Sequence, residues 1–229
     1  MISQLATAVI AKGRTRRPGF GGILLHDTGS GVHALARRGG ESAEERTVRF
    51  YAGSADRWPD YLVGQRVWSF CDESISSAHA AWRPWELAAY RDGTWRTKWA
   101  KDYRDSVVAV PRDTYAWWVQ RWPGFASPLM LLQSSWNGPA SPNRARIGIE
   151  MMHDGVDLAL VGRLVADILR RHSPLSVDEV HDMLASGRQH ALVCGHEDLS
   201  PCRRTTKSGR PWDPGAVDWA AIAAGMTSV

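Results

Sequence analysis

Apolar residues occur in short, compact runs that predict buried β-strands. The run FGGILLH (20–26) is bounded by glycine and by DTGSG, and two similar runs are RIGIEMM (146–152) and HALVCGH (190–196). An apolar run of this length between turn-forming residues is typical of a strand buried on both faces. Two of these predicted strands end in a histidine, His26 and His196.

Segments with helical patterns lie between and after these runs. ESAEERTVRFYAG (41–53) has an acidic start and a terminal glycine, and DLALVGRLVADILRRH (157–172) has apolar residues at helical spacing and a basic end. SVDEVHDMLASG (176–187) begins with Ser176 and has a glutamate three positions later, which predicts a capping box. AVDWAAIAAGM (216–226) predicts a short final helix.

Strands interspersed with helices predict an α/β fold, with a mixed central β-sheet flanked by helices. The length suits a single domain over 1–229. We predict antiparallel strands around a hairpin turn at Asp92-Gly93, in a segment rich in tryptophan.

Composition excludes several classes of protein. No apolar run approaches the roughly 20 residues of a membrane span, and the first basic residues follow the first apolar segment, unlike a secretory signal. Three cysteines are a sparse, odd set that suits a reducing site of synthesis. The net charge of +4 is mild but concentrated in two basic clusters, GRTRRP and CRRTTKSGR, which could attract an anionic polymer; we favour solvated loops. We expect a protein made in the cytoplasm, with no nucleic-acid partner and no membrane insertion, and we expect it to be a monomer.

Two histidines and one aspartate form a candidate zinc site. His26 and His196 end strands, and Asp213 lies in the rigid turn WDPG. Three protein ligands leave the fourth position on Zn²⁺ for water, whose pKa falls to about 7, so the set suits amide hydrolysis. Glu150 is the candidate general base, because a carboxyl group among apolar neighbours holds a proton more tightly than in water. Composition alone does not single out these four residues, since the chain has eight histidines and many acids.

Four sequence blocks occur in the order found in one enzyme family. GILLHDTGS, SSAHAAW, NRARIGIE and GHEDLSPCRR with DPGAVDW resemble zinc-dependent N-acetylmuramoyl-L-alanine amidases, which include many phage endolysins, peptidoglycan-recycling amidases and peptidoglycan recognition proteins. The last block is the most specific. The resemblance covers the chain from about residue 20 to 220, taken as the core of the domain, and implies that the tryptophan-rich segment from about 82 to 136 is an insertion. The resemblance implies a mixed sheet flanked by helices, with zinc in a cleft at a sheet edge. It also implies cleavage of the amide between the lactyl group of N-acetylmuramic acid and L-alanine of the stem peptide.

The resemblance also implies roles for single residues. His26, His196 and Asp213 match the family's zinc ligands, and Glu150 matches the acid that activates water. Cys202 is an alternative third ligand, since some members use cysteine near that place, but the intact DPG-x-x-x-W context favours Asp213.

The basic residue that stabilises the oxyanion in the family is ambiguous here, because the loop CRRTTKSGRPW is several residues longer. Counting from His196 favours Arg204, composition favours Lys207, and Arg210 is a third candidate. We favour Lys207, since a compact, mobile ammonium can reach across a lengthened loop.

The remaining candidates have weaker signals. Cys194 shares a strand face with His196 but is expected to pack as a small hydrophobic residue. His79 is interpreted as a core histidine, and five other histidines receive no role. Most of the twelve tryptophans are expected in the core, whereas Trp136 and Arg204 are candidates for contact with substrate.

These observations predict a zinc-dependent peptidoglycan hydrolase of phage or prophage endolysin type, acting on the cell wall after release. Three alternatives stay open: an amidase that recycles soluble muropeptides, a module that binds peptidoglycan without cutting it, and a zinc peptidase that cuts between stem amino acids.

Overall fold

The chain folds as an α/β protein, as its alternating pattern predicts. The structure is a computed structural model and describes residues 3–10, 17, 19–29, 35–55, 57–77, 146–196 and 213–227. A six-stranded mixed, mostly parallel sheet packs against helices. The predicted hairpin at Asp92-Gly93 and the rest of the tryptophan-rich insertion lie outside the described residues.

The six strands are arranged so that three of the longest apolar runs are neighbours. The spatial order is β1 (Ala6–Val9), β4 (Val67–Ser69), β3 (Tyr61–Val63), β5 (Ile147–Met151), β2 (Ile23–Asp27) and β6 (Val193–Gly195). Only the β3–β4 pair is antiparallel among these six strands. β2, β5 and β6 were predicted from their apolar runs, whereas β1, β3 and β4 were not.

Four helices follow the predicted segments closely. They are α1 (Ala43–Gly53), α2 (Leu158–His172), α3 (Val177–Ala185) and α4 (Trp219–Met226). A capping box starts α1, where Ser42 and Glu45 exchange side-chain and backbone hydrogen bonds. No helix in the described part of the chain has both the length and the apolarity needed to cross a lipid bilayer.

The predicted capping box at Ser176 is wrong. A 3-10 turn over Pro174–Ser176 precedes α3 and leaves Ser176 with φ −101° and ψ 0°, instead of the extended backbone of a capping residue. Its side chain makes no capping hydrogen bond, and its hydroxyl lies 3.0 Å from the Ser173 hydroxyl. The preceding turn therefore overrides the local sequence signal.

The sheet has two differently covered faces, because side chains alternate along each strand. Ile23, Leu25, Ile147 and Ile149 belong to the main core together with apolar residues of α2, α3 and α4. On the other face, Leu62 of β3 packs with Tyr51 of α1, Phe70, Trp58 and Met152. His26 and Glu150 alternate with the residues of the main core, so they belong to the face that α1 covers.

A buried charge network lies away from this histidine end of the sheet. The Glu73 side chain, 0 % exposed, is paired with Arg171 and with His172, whose Nε2 lies 2.6 Å from Glu73 Oε2. The Tyr61 hydroxyl donates to the same carboxylate at 2.5 Å. Burial alone would raise the pKa of Glu73, but the hydrogen bonds from His172, Arg171 and Tyr61 outweigh it and hold that pKa below the usual 4.5.

This network predicts a loss of stability in acid. A lowered folded-state pKa means that the Glu73 carboxylate stabilises the fold fully above pH 4.5 and that this contribution fades as pH falls through the folded-state pKa. Glu73→Gln should lower the free energy of unfolding at pH 7 by about 2 kcal/mol, less than for complete loss of a buried partner, since the amide oxygen still accepts a hydrogen bond. Denaturant unfolding of the parent and the variant at pH 7 and at pH 3.5 measures both the loss of stability in the variant and the loss of stability in acid.

The matched control for that variant is Glu179→Gln, because the Glu179 side chain is 71 % exposed. It should change stability by less than about 0.5 kcal/mol at either pH. A Glu73→Gln protein whose stability falls as steeply in acid as the parent's would show that Glu73 does not carry the pH dependence.

Candidate metal centre

Three neighbouring parallel strands bring the candidate residues to one edge of the sheet. β2 lies between β5 and β6. Register pairs His26 of β2 with Glu150 of β5, and Leu25 with Gly195, so His196 follows β6 beside His26. Adjacent strands are about 4.8 Å apart, and ligands of α/β sheets bind at the carboxyl ends of strands. Residues far apart in sequence therefore meet at one end of the sheet.

His26, His196 and Asp213 converge on one point. His196 Nδ1 lies 3.1 Å from His26 Nδ1 and 2.9 Å from Asp213 Oδ2, and His26 Nδ1 lies 3.6 Å from Asp213 Oδ1. All three residues are buried, with 1–3 % of their surface exposed. Among the described residues, they form the group of histidine, cysteine and acidic side chains with the geometry to hold a metal ion.

The distances fit a small tetrahedral cation. Bonds of about 2.0–2.1 Å from Zn²⁺ to nitrogen or oxygen place neighbouring ligand atoms about 3.3 Å apart, and the three separations here are 2.9, 3.1 and 3.6 Å. Two facing imidazole nitrogens beside a buried carboxylate also need a shared cation or proton to be stable together. The donor set could therefore hold a metal ion, and its chemistry suits zinc.

Asp213 is positioned by the turn that leads into α4. Gly215 takes a positive φ of 76°, which glycine adopts without strain, and Asp218 then caps the helix by accepting a hydrogen bond from the Ala221 N–H. Trp219, in the first turn of α4, is buried in the main core and anchors this end of the helix. The DPG-x-x-x-W pattern thus fixes the carboxylate against the sheet edge.

Electrostatics keep Asp213 ionised. Burial would raise its pKa, but the electrostatic interactions and hydrogen bonds with His26 and His196 hold the pKa of Asp213 well below its usual range. A carboxylate that stays ionised while buried is a suitable ligand for a divalent cation.

Glu150 lies beside the three ligand candidates and contacts Tyr51 of α1. Its residue surface is 8 % exposed, and its Oε2 atom is buried. Burial, the negative charge of Glu150 and a hydrogen bond to Glu150 raise the pKa of Tyr51 well above 10, and the charge of Asp213 adds to this. The phenol therefore stays protonated and donates a hydrogen bond to the Glu150 carboxylate.

Sequence reasoning missed Tyr51 as a neighbour of the site. The helix was predicted, and its buried face holds Thr47 and Tyr51 at i and i+4. A large aromatic residue with a hydroxyl on the buried face of a helix needs a polar partner, which was the available signal. What the sequence did not provide was the packing of that face over β5.

Cys194 packs in the sheet, as expected. It is fully buried, with the Arg146 Nη1 atom 3.4 Å from its sulfur, and it is not in the metal-ligand group. The other predicted site residues and alternatives lie outside the described residues, so their roles stay predictions: His79, Trp136, Cys202, Arg204, Lys207 and Arg210.

No protein-family model matches the chain, and no curated protein matches it either.

Proposed function

We propose that the protein is a zinc-dependent N-acetylmuramoyl-L-alanine amidase that acts on bacterial peptidoglycan, of the phage or prophage endolysin type. The observation that carries the proposal is that His26 and His196, at the carboxyl ends of adjacent parallel strands, converge with Asp213 from the turn before α4, while Glu150 lies beside His26 in register. The ordered sequence blocks that resemble this amidase family supply the substrate class. Within this proposal the sheet corresponds to the amidase fold and the tryptophan-rich segment to an insertion.

The metal ligands and Glu150 have different roles in the proposed hydrolysis. A zinc ion held by His26, His196 and Asp213 would polarise the lactyl carbonyl and make bound water more acidic. The Glu150 carboxylate accepts a proton from the attacking water while the oxygen of that water bonds to the carbonyl carbon. Glu150 then returns that proton to the L-alanine nitrogen as the carbon–nitrogen bond breaks. The products are a carboxylic acid on the lactyl group and a stem peptide with a free amino terminus.

The Tyr51 hydroxyl orients the proposed base. Its hydrogen bond to Glu150 uses one acceptor position of the carboxylate and leaves other acceptor positions for the attacking water. A basic residue that stabilises the developing negative oxygen is expected in the loop before Asp213, with Lys207 favoured over Arg204 and Arg210.

Mass analysis of digestion products tests the proposed reaction. The purified protein is incubated with peptidoglycan sacculi and, separately, with soluble anhydro-muropeptides, each with zinc and with a chelator. We expect the sacculi to release stem peptides that begin with L-alanine, and we expect the glycan strands to stay intact. The chelator should abolish peptide release, and added zinc should restore it. Bond cleavage that is indifferent to the chelator would contradict a metal-dependent reaction.

Other product patterns identify the alternatives. Cleavage between stem amino acids would indicate a zinc peptidase, and release from the soluble substrate alone would indicate a recycling enzyme. Sedimentation of the protein with sacculi without release of any peptide would indicate a binding module. Each of these results overturns the proposed endolysin-type amidase.

A further inference from the structure

The exits of β2 and β5 stay connected beyond the last strand residues. The Thr28 N–H donates to the Met151 carbonyl at 3.0 Å, and the His153 N–H donates to the Thr28 hydroxyl oxygen at 3.0 Å. The two segments that follow β2 and β5 therefore run side by side past the point where each strand ends. This brings the His153 ring to Asp27, the residue that follows His26.

Asp27 and His153 form a close side-chain pair there. His153 Nδ1 lies 2.9 Å from each carboxylate oxygen of Asp27, and the Gly29 N–H donates to Asp27 Oδ1 at 2.5 Å. The His153 side chain is 53 % exposed, so burial does not force this contact. The hydrogen bond to Asp27, aided by its negative charge, raises the pKa of His153 above the usual 6.5. The Asp27 side chain is thus held from both sides.

The backbone of Asp27 contacts the candidate centre directly. Its N–H donates to Asp213 Oδ1 at 3.0 Å, while Asp213 Oδ2 lies 2.9 Å from His196 Nδ1. The peptide N–H therefore holds one carboxylate oxygen of Asp213 while the other faces His196. Groups that hydrogen-bond to ligating carboxylates commonly change metal affinity 10–100-fold when they are lost.

We infer that Asp27 and His153 are positioning residues for the metal centre: their pairing holds the Asp27 peptide so that its N–H orients the Asp213 carboxylate. This inference rests on the metal centre of the proposed function and not on the identity of the substrate. Neither side chain is placed in contact with the reacting atoms.

Charge and position predict opposite effects of removing His153. A nearby imidazolium repels a divalent cation, so electrostatics alone predicts that His153→Ala would bind zinc more tightly. If the pair acts by positioning, His153→Ala should bind zinc about 10-fold more weakly. His153→Asn should restore most of the affinity, because the asparagine Nδ2 stands the same number of bonds from the backbone as the histidine Nδ1 and is a neutral donor.

The test measures zinc affinity of the whole chain by competition with a chromophoric chelator. His181→Ala is the matched control, since His181 is also a partly exposed histidine beside an aspartate, with its Nδ1 3.1 Å from Asp182 Oδ1 in α3. The visible absorption spectrum of the cobalt-loaded proteins reports ligand geometry, and thermal unfolding reports the fold. We expect altered affinity and spectrum in His153→Ala alone, with unfolding temperatures like the parent's.

The outcomes separate this inference from the proposed function. Unchanged or tighter zinc binding in His153→Ala would overturn the positioning role and leave the amidase proposal standing. Equal weakening of zinc binding in His153→Ala and His153→Asn would also overturn it, because the positioning role predicts that the hydrogen-bond donor of asparagine restores the affinity. A parent protein that binds no zinc would overturn the inference and the metal centre together.

Discussion

Replacing Glu150 with glutamine is expected to lower the rate of stem-peptide release by about 10³-fold while leaving zinc affinity unchanged. Glutamine keeps the size of the side chain and can still accept the hydrogen bond from Tyr51, but it cannot take a proton from water. Glu150 is opposite His26 in the parallel register and is not one of the three converging ligand candidates. The variant should therefore lose catalytic activity while it still binds the metal.

The measurement compares initial rates of peptide release from sacculi with zinc content of the same preparations. Glu179→Gln, on the exposed surface of α3, is the control and should keep the parent's rate. If Glu150→Gln released peptide at a tenth of the parent's rate or faster, Glu150 would not be the general base. If the variant instead lost zinc, Glu150 would have to be reassigned to the metal centre.

Replacing Asp213 with alanine is expected to weaken zinc binding at least about 100-fold. Apparent binding free energies of about 10–16 kcal/mol for four-ligand zinc sites correspond to about 3 kcal/mol for each ligand, and 1.4 kcal/mol is a factor of ten. Removing the carboxylate also leaves His26 and His196 facing each other at 3.1 Å without their shared anionic partner. Peptide release should fall together with zinc content.

Cys202→Ser is the informative control for that variant, because Cys202 is the alternative third ligand from the sequence. Zinc affinity measured by chelator competition should be close to the parent's in Cys202→Ser. The reverse pattern, with zinc lost in Cys202→Ser and kept in Asp213→Ala, would transfer the third ligand position to the cysteine. Circular dichroism of each variant checks that α4, which begins just after Asp213, is still formed.

The strands and helices that carry the candidate site were predictable because their local signals agree with their environment. β2 and β5 are buried on both faces and so appear as continuous apolar runs, which is the expected pattern for central parallel strands. The Asp-Pro-Gly turn and the following tryptophan likewise marked the start of α4. The grouping of His26 with His196 and Asp213 depended on the family resemblance, and the structure brings these three residues together.

The elements that were missed lack such local signals. β3 and β4 have three residues each, too few to establish an alternating pattern, and become strands because the antiparallel pair docks on β5. His153 was given no role because its partner Asp27 is 126 positions away in the chain. Contacts of this kind depend on strand order and register, which a single sequence does not reveal.

The spacing of the ligands along the chain links folding to metal occupancy. His26 and His196 are separated by 170 positions, so an ion bound to both would close, through its coordination bonds, a loop that includes most of the polypeptide. An unfolded chain offers no such preformed cage, and a cation that binds the native state alone stabilises it in proportion to the logarithm of its concentration. If the centre holds an ion, scarcity of that ion would therefore lower the stability of the fold as well as the activity.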